Sequence, residues 1–326
     1  MKRIAESKLV FFIGCSLALS SAQVRSADDY PKHPIRLIVP YQPGGSTDFA
    51  SRAVQQGIAR LSGMQLIIDN RPGAGTALGT ELAAGSAPDG YTLLLCSTPF
   101  SILPTLRAKL PYSPSKDFAA VTQISSQPYV IVVAPRFLIT NLSGFLTAAK
   151  AKLGGLTYGS AGPGSGSHVA VEALVMQTGI RMVHVPYKGT GPALVALLGN
   201  EVDVVLAGVV SAMSHQKSGK LRALAVMSPR RAPSMASVPT VAESGLILDE
   251  TASWNGILVP AGTPSHITTQ LNLAIVAAIR TPAMRSLFEN AGAEVVGSSS
   301  AEFELFIKSE IAKWAKVIRF AQIRVE

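Results

Sequence analysis

From Tyr30 onward, short apolar runs alternate with segments in which apolar residues recur every three or four positions. The short runs are typical of buried strands, and the spaced pattern is typical of helices that pack on one face. This alternation predicts an α/β fold with largely parallel sheets. The predicted strands are 36–39, 65–69, 91–96, 129–134, 157–159, 182–187, 202–206, 222–227 and 254–259. The predicted helices are 48–61, 77–84, 142–152, 168–177, 192–198, 265–280, 282–291 and 301–321.

The last predicted helix has the clearest start. Ser299 and Glu302 have the spacing of a capping box, in which each side chain accepts a hydrogen bond from the other residue's backbone N–H. Trp314 lies on the apolar face that follows, which favours core packing over contact with a ligand.

Glycine-rich turns follow several of the predicted strands. The first is Pro43-Gly44-Gly45, between the apolar run 35–39 and a helix. Backbone N–H groups and the positive end of the helix dipole meet at such a turn, and glycine lets a ligand approach closely, so the arrangement suits an anion. One such turn is equally typical of an ordinary strand-to-helix connection. Its recurrence after three further strands favours a binding site.

The second turn, residues 71–79, partly matches a dinucleotide-binding fingerprint. The third glycine is Gly79, whereas the fingerprint requires glycine at position 78, and Asp89 follows at the wrong distance. These departures exclude nicotinamide binding.

The third and fourth turns, 157–168 and 184–192, add hydroxyl, phenol and amine groups. Ser165 or Ser167 is expected to cap the helix that follows the third turn, and Thr190 the helix that follows the fourth. Lys188 is either a group that reaches a bound carboxylate or a solvated surface lysine.

Two further roles are open at this stage. Asp203 either accepts a hydrogen bond from a ligand or fixes the adjacent turn. Ser160 or Ser165, with His168 or His184 as base, raises the alternative of a serine hydrolase. Neither serine has glycine two residues before and after it, as the G-x-S-x-G motif requires. The absence of a clear nucleophile and base favours binding without catalysis.

The N-terminus differs from the rest. Lys2, Arg3 and Lys8 precede the apolar run 9–19 and the small residues 20–22. This pattern predicts a secretory signal peptide, residues 1–22, and therefore a periplasmic protein. Cleavage would lower the net charge from +9 to +7, because the segment carries three basic and one acidic side chain. It would also leave Cys96 as the single cysteine, which precludes an internal disulfide.

Composition narrows the classes of ligand. The chain has 326 residues, of which 48% are hydrophobic and 15% charged, as expected of a compact protein with two domains. The positive balance suits small anions, whereas basic residues that occur singly argue against nucleic acid. The five histidines are dispersed and no cysteine pair exists, so neither a metal nor a cofactor is predicted.

Proline- and glycine-rich joints at 126–128 and 259–264 divide the chain. They predict a domain formed by 28–127 and 253–326, with a second domain, 128–252, inserted into it. Two adjacent crossovers would act as a hinge, and a ligand would bind in the cleft at the carboxyl ends of the strands.

Seven motifs, in order from Tyr30 to the C-terminus, resemble the Bug family, the substrate-binding proteins of tripartite tricarboxylate transporters. They are the segments 39–48 with Arg52, 70–75, 88–92, 158–164, 185–189, 238–245 and 260–264. The resemblance implies a two-lobed periplasmic-binding-protein fold of type II, the Venus-flytrap arrangement. It also implies a non-enzymatic monomer that closes around a small carboxylate and delivers it to membrane transporter subunits. An orphan receptor that reports to a sensor kinase is the alternative.

The resemblance also implies the ligand-binding residues. These are Tyr41, Gly44, Gly45, Ser46, Gly73, Ala74, Ser97, Ser160, Ser165, Tyr187, Lys188, Gly189 and Asp203. Asp48 is expected to be structural, because a carboxylate at a helix start would repel an anion. Thr76 departs from the family, which often has glycine there, and is expected to reshape the pocket. Phe100 either selects a bulkier acid or packs in the core. Di- and tricarboxylates, acidic amino acids and aromatic acids all remain possible ligands.

Overall fold

Ten strands and ten α-helices form the described part of the computed structural model, which comprises residues 30–246 and 251–324. The strands are β1 (Ile35–Val39), β2 (Leu66–Asn70), β3 (Thr92–Ser97), β4 (Phe118–Val133), β5 (Leu156–Ser160), β6 (Met182–Pro186), β7 (Val204–Gly208), β8 (Arg222–Val226), β9 (Ala252–Pro260) and β10 (Glu294–Val295). The helices are α1 (Ser46–Ser62), α2 (Ala77–Ala84), α3 (Pro99–Leu106), α4 (Leu142–Ala151), α5 (Gly166–Thr178), α6 (Thr190–Gly199), α7 (Val209–Lys217), α8 (Ser265–Ile279), α9 (Pro282–Asn290) and α10 (Ser300–Phe320). The predicted signal peptide lies outside the described residues.

The strands form two sheets that share β4. The first sheet has the order β2-β1-β3-β9-β4, with β10 also paired to β4, and the second has the order β4-β7-β5-β6, with β8 also paired to β4. Residues 118–128 of β4 pair with β9, and residues 129–133 pair with β7 and β8. The division into domains at 127/128 and 252/253 remains a prediction, although β4 changes its partners at this point.

The expectation of largely parallel sheets is wrong for the centre of the molecule. β1 is parallel to β2 and β3, and β5 is parallel to β6 and β7. In contrast, β9 is antiparallel to β3 and β4, and β4 is antiparallel to β7 and β8. The reason is that β4 leads the chain out of the first sheet and β9 leads it back, so the two run side by side in opposite directions.

The last five residues of β4 have both faces buried. Tyr129, Ile131 and Val133 pack in one apolar cluster with α4 and α5, whereas Val130 and Val132 pack in another with α6 and α7. This alternation is the period of two that a strand between two helical layers requires.

A third cluster joins the first sheet to α3 and α10. Trp254 of β9 and Trp314 of α10 are both fully buried in it, and both indole N–H groups donate to the Glu310 carboxylate, at 3.1 and 2.9 Å. The core position expected for Trp314 is confirmed. The capping box of Ser299 and Glu302 at the start of α10 is also confirmed.

Four elements were absent from the sequence-based expectation: α3, α7, β10 and the first eleven residues of β4. No helix within 30–246 and 251–324 combines the length and the apolar composition needed to cross a membrane.

Candidate functional site

Five helices follow the carboxyl ends of strands, with at most a short loop between strand and helix. They are α1 after β1, α3 after β3, α5 after β5, α6 after β6 and α7 after β7. No side chain caps α1, α3, α6 or α7, whereas Ser165 caps α5. The two sheets meet at these ends, because Gly166 of α5 lies against the Tyr129 hydroxyl and the Thr98 side chain. An edge with several helix N-termini is suited to anions.

The β1–α1 loop, residues 40–45, is held by one buried carboxylate. Asp48 accepts hydrogen bonds from the Gly44 backbone N–H at 3.0 Å, from Asn70 Nδ2 at 3.1 Å and from Arg52 Nε at 2.8 Å. The Arg52 hydrogen bond is the main reason why the pKa of Asp48 is lowered. The structural role expected for Asp48 is confirmed, and it leaves Gly44, Gly45 and Ser46 exposed.

Tyr41 connects this loop to the end of β3. Its hydroxyl is hydrogen-bonded to Ser97 Oγ, and burial of the hydroxyl raises the pKa of Tyr41. Both predicted ligand groups therefore already have a partner inside the protein. The neighbouring Thr98 Oγ1 accepts a hydrogen bond from the Trp254 N–H at 3.4 Å.

Phe100 lies in the core and not in the site. It is 3% exposed, its ring is parallel to that of Tyr112, and Phe118 meets it edge-on with centroids 5.5 Å apart. Core packing, the second of the two readings of Phe100, is the one that the structure supports.

The turn before α2 has four consecutive residues in or near the left-handed region. Gly73, Ala74, Gly75 and Thr76 have φ of 140°, 50°, 63° and 86°. A β-branched residue such as Thr76 is strained there, whereas glycine is not. Thr76 is 7% exposed, so its side chain packs inward. Gly73 and Ala74 remain exposed on the turn.

Two buried residues, Ser160 and His168, and the half-buried His184 form a cluster at the third turn. Ser160 Oγ and His184 Nε2 are 2.6 Å apart, and the Gly162 N–H donates to Ser160 Oγ at 3.1 Å. The two imidazole rings are stacked with centroids 3.8 Å apart. Burial, with a contribution from the neighbouring His184, lowers the pKa of His168 to about 4. Ser160 is 1% exposed, so its hydroxyl supports the turn from inside.

Ser160 does meet one of the two expected bases, His184, but its hydroxyl is buried, so the cluster does not form a hydrolase site. His168 Nδ1 accepts from the Gly164 N–H at 3.0 Å, and Ser165 Oγ accepts from the His168 backbone N–H at 3.3 Å. The pairing of Ser160 or Ser165 with the His168 ring is therefore wrong, and the N-cap expected at Ser165 is confirmed. Glu172 accepts from the Tyr158 hydroxyl and orients neither histidine.

Asp203 lies away from the helix starts. Its carboxylate accepts from Lys152 Nζ at 2.7 Å and from the Thr157 backbone N–H at 2.8 Å, and Thr157 is near the amino end of β5. The structure thus places Asp203 in the second of its two expected roles, that of fixing a turn.

The fourth turn offers a ligand backbone groups more than side chains. Gly189 is the N-cap of α6 at φ 122°, so the expectation of Thr190 as N-cap is wrong by one residue. The Tyr187 hydroxyl donates to Glu201 Oε2 at 3.3 Å, and Lys188 is exposed.

A small cavity of about 200 Å³ lies behind the β1–α1 loop. It is lined by Gly44, Gly45, Ser46, Phe49, Ala50, Ser125, Gln127, Val210, Asn255, Phe288, Ala291 and Ala293. A larger depression of about 690 Å³ beside α5 and α10 contains none of the predicted ligand residues. The smaller cavity is therefore the better candidate for the ligand site, because predicted ligand residues line it.

Two polar residues of this cavity were missed by the sequence analysis. Gln127 and Asn255 are each 6% exposed, and Gln127 Oε1 and Asn255 Oδ1 have no hydrogen-bond partner within the described ranges. A signal was available for Asn255 alone, an amide inside the predicted strand 254–259 where an apolar side chain is usual, because Gln127 lies in the part of β4 that the sequence did not predict. In the same ranges, no three His, Cys, Asp or Glu side chains are placed to hold a metal ion.

Comparison with known proteins gives consistent matches over most of the chain. A family model described as "Tripartite tricarboxylate transporter family receptor" matches residues 50–323. Protein BugT of Bordetella pertussis is 35% identical over 316 residues, which cover 96% of this chain and 97% of BugT.

Two solved structures share the fold and carry acids. Rpa4515 of R. palustris, solved with adipate, is 30% identical with a TM-score of 0.81 and covers 91% of this chain and 99% of its own. MatC of Rhodopseudomonas palustris, with bound malate, is 30% identical with a TM-score of 0.77 and covers 89% of this chain and 100% of its own.

Proposed function

The chain belongs to the tripartite tricarboxylate transporter receptor family, and we propose that it is a periplasmic receptor that binds a small carboxylate beside the β1–α1 loop. The family consists of solute-binding receptors and not of enzymes, and the fold is the α/β fold of periplasmic binding proteins. The site is therefore expected to bind a solute without converting it.

The start of α1 is the observation that carries this proposal. Gly44, Gly45 and Ser46 are exposed, no side chain caps the helix, and the carboxylate nearest to the loop, Asp48, is already paired with Arg52. A ligand carboxylate would accept hydrogen bonds from the backbone N–H groups at this helix start and gain from the helix dipole. The adipate and malate of the two related structures belong to the same class of ligand.

Delivery to a membrane transporter completes the proposal. The family is the receptor component of tripartite transporters. The predicted signal peptide would direct the mature chain, residues 23–326, to the periplasm. There it would act as a monomer and present its bound acid to the membrane subunits.

Gly45 allows a sharp test. Its φ is −85° and a Cβ added there would meet no atom within 4 Å, so Gly45→Asp and Gly45→Asn both fit the native backbone. Either side chain would cap α1 and stabilise it by a few tenths of a kcal/mol relative to glycine. The aspartate would also place a negative charge where the ligand carboxylate is proposed to bind.

The experiment is calorimetric titration of refolded residues 23–326 with adipate and malate. We expect Gly45→Asp to weaken binding at least tenfold while thermal stability is kept or raised. Gly45→Asn, which caps the helix without charge, should weaken binding less. Unchanged affinity in Gly45→Asp, or no binding of any carboxylate by the folded wild type, would count against the proposal.

A further inference from the structure

One wall of the cavity behind the β1–α1 loop is polar. This wall is separate from the start of α1, where the carboxylate of the proposed ligand binds. Ser125 and Gln127 are two residues apart on β4 and therefore share a face of the sheet. Asn255 is opposite Ser125 in the antiparallel pair of β4 and β9, and its Nδ2 donates to Ser125 Oγ at 3.4 Å. The three side chains form one continuous polar patch.

This patch has unused hydrogen-bond acceptors. Gln127 Oε1 and Asn255 Oδ1 have no partner within residues 30–246 and 251–324, although both residues are 6% exposed. Buried amide oxygens without a partner are rare in folded proteins and point to a missing donor. Gly208 leaves space beside one of them, because a Cβ there would be 3.0 Å from Gln127 Oε1.

The chemistry of the cavity limits what that donor is. With the amides oriented as the structure shows them, a second carboxylate inside this cavity would place its oxygens against two amide oxygens and is disfavoured there. An ammonium would be buried without a counter-charge, because none of the described residues that line the cavity is charged. A neutral hydroxyl satisfies an amide oxygen at no such cost. The volume of about 200 Å³ is below that of most ligand pockets, which selects a short molecule.

We propose that the ligand is a short hydroxycarboxylate, whose carboxylate lies at the start of α1 and whose hydroxyl donates to Gln127 or Asn255 in this cavity. The inference rests on the proposed function, which supplies the carboxylate site. It adds a specificity subsite on β4 and β9. Phe49 and Phe288, with ring centroids 5.5 Å apart, provide an apolar part of the cavity wall.

The test uses pairs of acids that differ by a single hydroxyl, malate against succinate and 3-hydroxybutyrate against butyrate, with aspartate as the ammonium analogue. Refolded residues 23–326 are titrated with each acid by calorimetry. We expect the better hydroxy acid to bind at least tenfold more tightly than its partner without the hydroxyl, and more tightly than aspartate.

Near-isosteric apolar variants locate the effect. Asn255→Leu and Gln127→Met should reduce the ratio between the two affinities, at least one of them to below about threefold. Gln55→Met is the matched control, because the Gln55 amide donates to the Leu66 carbonyl outside this cavity. It should leave the ratio unchanged, and thermal unfolding establishes that each variant is folded.

The outcomes separate the two proposals. If acids bind without preference for the hydroxyl, or if the preference survives in both variants, the hydroxycarboxylate inference is wrong while the receptor proposal stands. Preference for aspartate would likewise overturn the assignment of a neutral donor. If no carboxylate binds to the folded protein, both proposals are wrong.

Discussion

His168 and His184 form a neutral stacked pair that the third turn depends on. His168 Nδ1 accepts a hydrogen bond from the Gly164 N–H, and this acceptor is lost if the ring nitrogen is protonated. The neighbouring His184 Nε2 is hydrogen-bonded to Ser160 Oγ. Burial lowers the pKa of both rings, that of His168 to about 4. The third turn is therefore expected to be most stable at a pH at which both histidine rings are neutral.

This pair predicts a pH dependence of stability. Between the ordinary histidine pKa of 6.5 and the folded value of about 4, the unfolded chain binds a proton at His168 that the folded chain does not. The free energy of unfolding should thus fall as pH decreases through this window, by roughly 3 kcal/mol from His168. Urea unfolding between pH 7.5 and 4 measures the slope.

His168→Asn keeps a side-chain acceptor for the Gly164 N–H and removes the titration. We expect its slope to be smaller than that of the wild type, whereas His266→Asn, at an exposed position, should reproduce the wild-type slope. An unchanged slope in His168→Asn would rule out this histidine as the cause.

At the residue scale, the sequence was informative where a local rule applied. The caps at Ser165 and Ser299 follow from hydroxyl spacing, and Asp48 follows from the repulsion between a carboxylate and an anion at a helix start. Ser160 and Asp203 could not be placed in this way, since their partners, His184 and Lys152, are distant in the chain and meet them only in the folded sheet.

At the element scale, the start of α5 is fixed by one close contact. Gly166 lies so near the Tyr129 hydroxyl and the Thr98 side chain that a Cβ would overlap the hydroxyl. We expect Gly166→Ala to lower the free energy of unfolding by about 1–3 kcal/mol, because α5 or Tyr129 must shift. It should also weaken carboxylate binding.

A double-mutant cycle identifies the cause. Tyr129→Phe removes the overlapping oxygen, so Gly166→Ala should cost clearly less in that background than in the wild type. Strictly additive effects in urea unfolding would show that the hydroxyl is not what excludes a larger residue at Gly166.

The sequence predicted elements with regular periodicity to within about two residues, including both ends of α2. It missed α3 because Pro99 and Pro104 interrupt the helical pattern, and α7 because Val209–Lys217 has few apolar positions. The first part of β4 was missed because Gln127 and its neighbours are polar where a buried strand is normally apolar.

At the scale of the whole molecule, the shared strand β4 couples the two sheets. Val169 and Ala173 of α5 also pack in the same cluster as Trp314 and Val317 of α10. The region from Pro31 onward forms one compact unit. Two lobes joined in this way should unfold together.

We therefore expect a single cooperative transition in the absence of ligand. Fluorescence of the two tryptophans, Trp254 and Trp314, reports on the first sheet and α10, whereas far-UV circular dichroism reports on all helices and strands. The two urea midpoints should coincide within error. Separate midpoints would show that the predicted domains unfold independently.

The position of β9 between β3 and β4 also sets the order in which the protein can be assembled. A chain that leaves a ribosome or a translocation channel cannot close its first sheet until residue 260 has emerged, long after β1 to β3 are available. Until then, the edges of these early strands have backbone groups without hydrogen-bond partners. Chaperones that hold unfolded chains would bind there, and proteases would have access. Because the decisive pairings span so much of the chain, folding should be slow and largely post-synthetic.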